Sequence, residues 1–232
     1  MHIYITGGSG RNGSLAIAAA LERGHTVTAL VRPSSSSSLP ARANLTVLHG
    51  SPLSQRDVAH ALATPRRAHA VLFTLSLPRT GDSPFAPLRP DTAPDFLSHA
   101  ARTLLAALPA ADAPPKLVIN SALGVGDSWH ALAWPLRVLF SHTPMRFGVA
   151  DHAAVDGLVR REARGRFVLA RAGRLTEQGE EGAEGALPVR VLPENGEGLR
   201  LMDALTRQSL ARWMVMAAEQ DTWDGTSPVL VN

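Results

Sequence analysis

Short apolar runs closed by turn residues alternate along the chain with longer stretches in which apolar positions return every three or four residues. The short runs are apolar throughout, without the alternation of a half-exposed strand, which is the mark of parallel strands covered on both faces. The pattern predicts strands near residues 2–6, 26–31, 45–49, 69–75, 116–121, 166–171 and 228–231. Helices are predicted over 14–23, 94–108, 149–164 and 206–219, and a short one ends at Ala63, where Ser54 followed by Asp57 makes a capping-box-like start. Strand and helix in alternation imply an α/β chain: a Rossmann-like, doubly wound parallel sheet with helices on both faces. Residues 1–232 then form a single domain, with 1–123 carrying the first five strands and 124–232 a small C-terminal portion.

The first strand runs into Gly7-Gly8-Ser9-Gly10-Arg11-Asn12-Gly13, and an Ala/Leu-rich helix stopped by Gly24 follows. The G-x-x-G-x-x-G spacing gives each glycine its own role. Gly7 turns the chain off the strand, Gly10 removes a Cβ that would hold off a diphosphate, and Gly13 lets helix and strand pack closely. The helix N-terminus supplies free N–H groups and partial positive charge. All seven residues of the turn are therefore candidate dinucleotide ligands, the alternative being a tight packing turn with no ligand. The second strand ends in Arg32 instead of the carboxylate that would accept from a ribose 2′-hydroxyl, and Ser34 and Ser35 open a serine run. A cation with hydroxyls suits a 2′-phosphate, so the expected cofactor is NADP(H). The alternative is a solvated strand end leading into a flexible linker.

Composition narrows the function classes. The chain has 232 residues, 45% of them hydrophobic, enough for one full-size α/β core. It has no cysteine, which removes disulfides, thiolate catalysis and zinc-thiolate sites. Lys116 is the single lysine among 23 basic residues, the net charge is only +3, and the cations are scattered, so nucleic acid is not an expected partner. The one basic cluster, Arg160, Arg161, Arg164 and Arg166, falls at a helix end where cations complement the dipole. A strand beginning at residue 2 leaves no room for a leader, and no 18-residue apolar run offers a membrane span, so a cytoplasmic location is expected.

Several segments in order then resemble one family. Thr6 to Gly13, Ala29-Leu30-Val31-Arg32, His49-Gly50-Ser51-Pro52-Leu53, Val118-Ile119-Asn120-Ser121-Ala122, Asp151-His152 and the stretch from Leu205-Thr206 to Trp213 resemble the atypical short-chain dehydrogenase/reductases, in their NmrA-like and biliverdin/flavin-reductase-like branch. The resemblance implies an NAD(P)-binding oxidoreductase. It also implies a cofactor contact at Ser51, where the family commonly carries an acid. Right-handed crossovers bring the ends of the first, fourth and fifth strands to one crevice, which adds Thr74, Leu75 and Asn120 to the cofactor candidates.

Orthodox members of that superfamily use a Tyr-x-x-x-Lys pair, the lysine easing proton release from the tyrosine. Here Tyr4, the single tyrosine, is inside the first strand and Lys116 begins the fifth, so that mechanism is excluded. Ser121, at the carboxyl end of the fifth strand, resembles the serine the family places near substrate. His152 and Asp156 are four apart on one helix face, where a carboxylate can hold an imidazole as proton donor near neutral pH. The competing reading makes Ser121 a local hydrogen-bonding residue and Asp151 or His152 a helix cap.

Two loops should shape the substrate side. Residues 77–92 carry four prolines with Arg79 and Arg89, and 124–148 carry Trp129, Trp134, Phe140, Met145 and Phe147 among few charges, a low-polarity lid for a flat substrate. The bland reading of those aromatics is core closure. Ser121, Leu123, Trp129, Trp134 and His152 are the candidate substrate contacts. The acid-rich stretch 177–184 and the nine histidines show no ligand spacing, so no metal is expected. These readings converge on an NADPH-dependent reductase acting on a flat or conjugated acceptor, with a non-redox isomerase, dehydratase or cyclase and a non-catalytic NADP-sensing regulator as alternatives. The small-molecule partner is expected to be apolar or aromatic, and the oligomeric state is left open.

Overall fold

The computed structural model describes residues 1–32, 39, 41–81, 83–108, 114–163, 166–177 and 186–232. Ser34, Ser35, Arg164 and most of the acid-rich stretch lie outside the described residues. The strands are β1 (His2–Thr6), β2 (Thr26–Val31), β3 (Leu45–His49), β4 (Ala70–Phe73), β5 (Lys116–Ala122), β6 (Phe167–Ala172), β7 (Arg174–Thr176), β8 (Arg190–Leu192), β9 (Ala204–Thr206) and β10 (Val229–Val231). Eight of them form one sheet in the order β3-β2-β1-β4-β5-β6-β10-β8, parallel except where β8 runs against β10. β7 and β9 pair separately. Strand order reverses between β1 and β4, and the crevice at their carboxyl ends is where open α/β sheets take ligands.

Residues of the central strands are buried on both faces, and their alternation divides the core in two. Ile3, Ile5, Val27, Leu72, Val118 and Val168 face α1 (Arg11–Glu22) and α6 (Arg207–Glu219). Alanines at positions 16, 19, 20, 211, 217 and 218 let those two helices lie close. Tyr4, Leu30, Val71, Phe73, Leu117 and Ile119 face the other layer, built by α2 (Gln55–Ala63), α3 (Phe96–Ala107) and α5 (Met145–Glu162).

The expected α/β architecture is the one observed, and the differences are local. The first helix begins at Arg11, not residue 14, because Gly10 already serves as its N-cap and Ser14 N–H donates to Gly10 O at 2.9 Å. The segment 124–148 is largely helical. It holds a 3-10 turn (Gly126–Ala131) and α4 (Trp134–His142), with Pro135 in its first turn, and it runs into α5 four residues before the expected start. β7, β8 and β9 have three residues each, too few for a periodic signal. Ser54 caps α2 as expected, its Oγ accepting from Asp57 N–H. The Asp57 carboxylate instead reaches back to Ser51 N–H at 2.9 Å.

Candidate functional site

The glycine turn is shaped by contacts that admit no side chain. Gly7 sits at φ +83°, in the left-handed region, and its carbonyl accepts from Gly10 N–H at 2.9 Å. A Cβ on Gly13 would lie 2.1 Å from Gly7 O, so the start of α1 rests directly on the turn. At Gly10 an added Cβ would meet only Gly7 O, at 3.2 Å; what its absence leaves open faces away from the protein. The turn expected at Gly7 and the close packing expected at Gly13 are both present in the geometry.

The other sequence candidates gather around this turn. Thr6 pairs with Leu30, which carries Arg32 to the rim beside Gly7 and Gly8, and Gly50 N–H donates to Val31 O at 2.9 Å, which brings Ser51 there too. Arg32 is exposed and, among the described residues, has no ion-pair partner. From the next strand, Thr74 Oγ donates to Thr6 O at 2.7 Å and packs with Leu75 against Gly7, so the Thr74 hydroxyl fixes the two strand ends. Asn120, one position beyond the Phe73↔Ile119 pair, is 6% exposed, and its Oδ1 is buried without a hydrogen-bond partner. An unanswered acceptor at the carboxyl edge, an uncrowded glycine turn on a helix N-terminus and an exposed guanidinium at its rim are a set that fits a nicotinamide dinucleotide.

Further along the same edge the site is built from side chains. Ser121 and Arg171 are register partners on β5 and β6. Asp156 on α5 meets both: its carboxylate accepts from Ser121 Oγ at 3.3 Å and from Arg171 Nη2 at 2.8 Å. Arg171 is only 2% exposed; its Nη1 donates to Glu194 O at 3.0 Å, and a Cβ on Gly126 would come within 2.6 Å of Nη2. Arg160 donates to Ser227 Oγ at 2.6 Å and reaches Glu194 at 3.3 Å, so it belongs to this cluster and does not merely complement a helix dipole. Burial opposes the Glu194 charge, yet Ser227 and the two guanidinium groups hold its carboxyl below the usual range. Asp156, Arg160, Arg171 and Glu194 line a cavity of about 230 Å³ with Val125, Gly126, Asp127 and Ala153. Because the hydroxyl of Ser121 faces an acceptor, its proton points at Asp156 and its lone pairs remain for other partners.

Two expectations about α5 need correction. Asp156 does not hold His152, since its oxygens are directed at Ser121 and Arg171. Nor does Asp151 open its own helix: α5 begins at Met145, and the buried Asp151 carboxylate accepts from Leu97 N–H at 2.7 Å and Ser98 N–H at 2.9 Å, capping α3 from outside. Burial pushes the His152 imidazole down against the pull of Asp151 and Asp156, so near neutral pH the ring is uncharged. Burial likewise pushes the Tyr4 phenol up, far from a catalytic range.

The two loops differ in character. Loop 77–92 folds on itself through an Arg79↔Leu88 bridge, and Arg79 Nη1 donates to Ser83 O at 3.0 Å, so that cation is spent within the loop. In the aromatic segment Trp129 is half-buried on the 3-10 turn and Phe140 packs over Gly124. Trp134, by contrast, is 74% exposed. Leu123 N–H donates to Ala172 O at 2.9 Å and extends the β5–β6 edge. No helix among the described residues is long and apolar enough to cross a membrane, and no group of three or more His, Asp or Glu among them is placed to hold a metal.

Sequence reasoning missed Arg171, Arg160 and Glu194. The usable signal is a charge at the end of the otherwise apolar run Phe167-Val168-Leu169-Ala170, because a buried arginine needs a partner.

Residues 7–221 match the family model described as NAD(P)H-binding. None of the curated proteins matches the chain. Among solved structures, the anaerobillin reductase ChuY from Escherichia coli O157:H7 is similar at 16% identity and TM-score 0.66, covering 100% of this chain and 97% of that one. A short-chain dehydrogenase/reductase from Veillonella parvula DSM 2008 gives 16% identity and TM-score 0.72, covering 99% and 93%. The oxidoreductase ylbE from Lactococcus lactis gives 17% identity and TM-score 0.70, covering 100% and 91%. At such identities the likeness establishes the shared fold.

Proposed function

Because the chain belongs to the NAD(P)H-binding family and has the atypical short-chain dehydrogenase/reductase fold, we propose that it is an NADPH-dependent reductase acting on a flat or conjugated acceptor: a carbonyl, quinone, flavin or enone. The observation that carries this reading is the backbone cradle at Gly7–Gly13 with the Arg32 cation at its rim. In this reading the turn and the N-terminus of α1 hold the diphosphate, Arg32 holds the 2′-phosphate, and Asn120 with Ser121 faces the reacting end. The bound cofactor would supply the hydride. The protein's own residues orient the acceptor beside β5 and keep water from it, with Trp129 and the α4 segment forming the apolar wall. Since His152 is held neutral, solvent is the readier proton source, and His152 acts as a neutral hydrogen-bond donor.

A second reading is favoured by one specific observation. With no Tyr-x-x-x-Lys pair, and with the Ser121 proton facing Asp156, the site lacks an obvious acid for a carbonyl oxygen. That suits a non-redox isomerase, dehydratase or cyclase on the same fold, or a protein that binds NADP without turning it over and signals through a partner. The test is to mix the purified protein with NADPH and a panel of quinones, flavins and enones and to follow the reduced-nicotinamide absorbance. Consumption supports the reductase, with turnover falling in Ser121→Ala while NADPH affinity holds; tight binding without consumption across the panel contradicts it in favour of the regulator.

A further inference from the structure

Two helix N-termini meet at the glycine turn, and one carboxylate answers both. Arg11 is the first residue of α1 and Arg207 the first of α6, and neither helix has an acidic residue in its first turn. Arg207, 13% exposed at its side chain, donates through Nη1 to Asn12 Oδ1 at 2.8 Å, which pins its guanidinium against the second residue of α1. A single oxygen, Glu177 Oε1, then accepts from Arg207 Nε at 2.9 Å and from Arg11 Nη1 at 3.1 Å. Glu177 directly follows β7, whose partner β9 leads into α6, so its backbone is anchored one residue away.

From this geometry we infer that Glu177 is an internal competitor for the cofactor's phosphates: its carboxylate occupies Arg11 and Arg207, and binding of the dinucleotide exchanges that carboxylate for phosphate. The inference rests on the reading of the glycine turn as a phosphate cradle. It adds two residues, Glu177 and Arg207, that the motif does not contain. The exchange is physically easy. Glu177 and Arg11 are 61% and 55% exposed, so water screens their bridge and it holds the carboxylate only weakly. A phosphate offers more acceptor oxygens and more charge to the same guanidinium donors and to both helix dipoles. Arg207, held by Asn12, remains in place to receive it. The consequence is a cofactor affinity set below what the cradle alone would give.

Titration calorimetry with NADPH on the full chain tests this, thermal melts confirming that each variant is folded. Glu177→Gln, with Glu177→Ala as the second variant, is expected to tighten NADPH about three- to tenfold. Arg207→Gln is expected to weaken it, and in the double variant Glu177→Gln should no longer tighten it. Unchanged or weaker affinity in both Glu177 variants, with wild-type protein binding normally, would overturn the inference and leave Glu177 an anchor for its loop. If wild type and variants alike bind no NADPH, the reading of the glycine turn falls and this inference falls with it.

Discussion

The two ends of the carboxyl edge of the sheet are built from different materials. Around β1, β2 and β4 the site is mostly backbone: a glycine turn on which Gly13 seats the start of α1 against Gly7, a helix N-terminus, and at the rim the exposed cation of Arg32. Around β5 and β6 it is side chain: Ser121, Asp156, Arg171, Arg160 and Glu194, each already answered by another member. A backbone cradle suits a ligand whose phosphates are the same for every substrate. A network of paired charges holds one arrangement of donors and acceptors, which is what selection among substrates needs.

Removing a charge at the side-chain end should have the largest effect. Arg171→Met leaves Asp156 buried without its cation, and the expected loss is about 3 to 5 kcal/mol of stability, read by chemical denaturation. Adding Asp156→Leu should restore much of that loss, because no buried charge is then left unpaired. At the backbone end the matching break is an added methyl: Gly13→Ala drives a Cβ to within 2.1 Å of Gly7 O, for an expected cost of about 3 kcal/mol by the same assay. If Gly13→Ala is neutral, the helix is not seated on the turn as described.

Cofactor discrimination sharpens the contrast with a smaller effect. Arg32→Asp replaces the rim cation by a repulsive charge, so NADPH affinity should fall about tenfold or more while NADH changes little. Equal losses for both would remove Arg32 from the 2′-phosphate.

The legibility of each region follows from the same contrast. The cradle could be read because its instructions are local: three glycines at fixed spacing between an apolar strand and an alanine-rich helix. The Ser121–Asp156–Arg171 cluster joins residues from two strands and a helix across 35 and 15 positions, and no local pattern announces it. Asp151 misleads for a related reason. A carboxylate next to a helical run looks like that helix's own start, whereas here the helix begins six residues earlier and the carboxylate caps a neighbour. The three-residue strands β7 and β9, which place Glu177 and Arg207, are too short to carry a period.

The mildest effect is on pH. His2 at the amino edge and His152 near the carboxyl edge are both depressed by burial, so they fold uncharged. The unfolded chain takes up their protons first, so stability is full above pH 6.5 and declines as pH falls from there toward the depressed values of the folded state. Glu194 and Glu219, whose carboxyls are lowered, add their losses only below pH 4.5. Thermal melts between pH 8 and 4 read both phases, and a melting temperature that stays flat from pH 7 to 5 would contradict the assignment of neutral imidazoles.

The central claim is that the opening strand, turn and helix form a backbone cradle for the larger nicotinamide dinucleotide. Calorimetric titration of the wild-type protein with NADPH and with NADH tests it most directly. The account predicts saturable one-site binding of NADPH and clearly weaker binding of NADH; heats of dilution alone with both dinucleotides would contradict it.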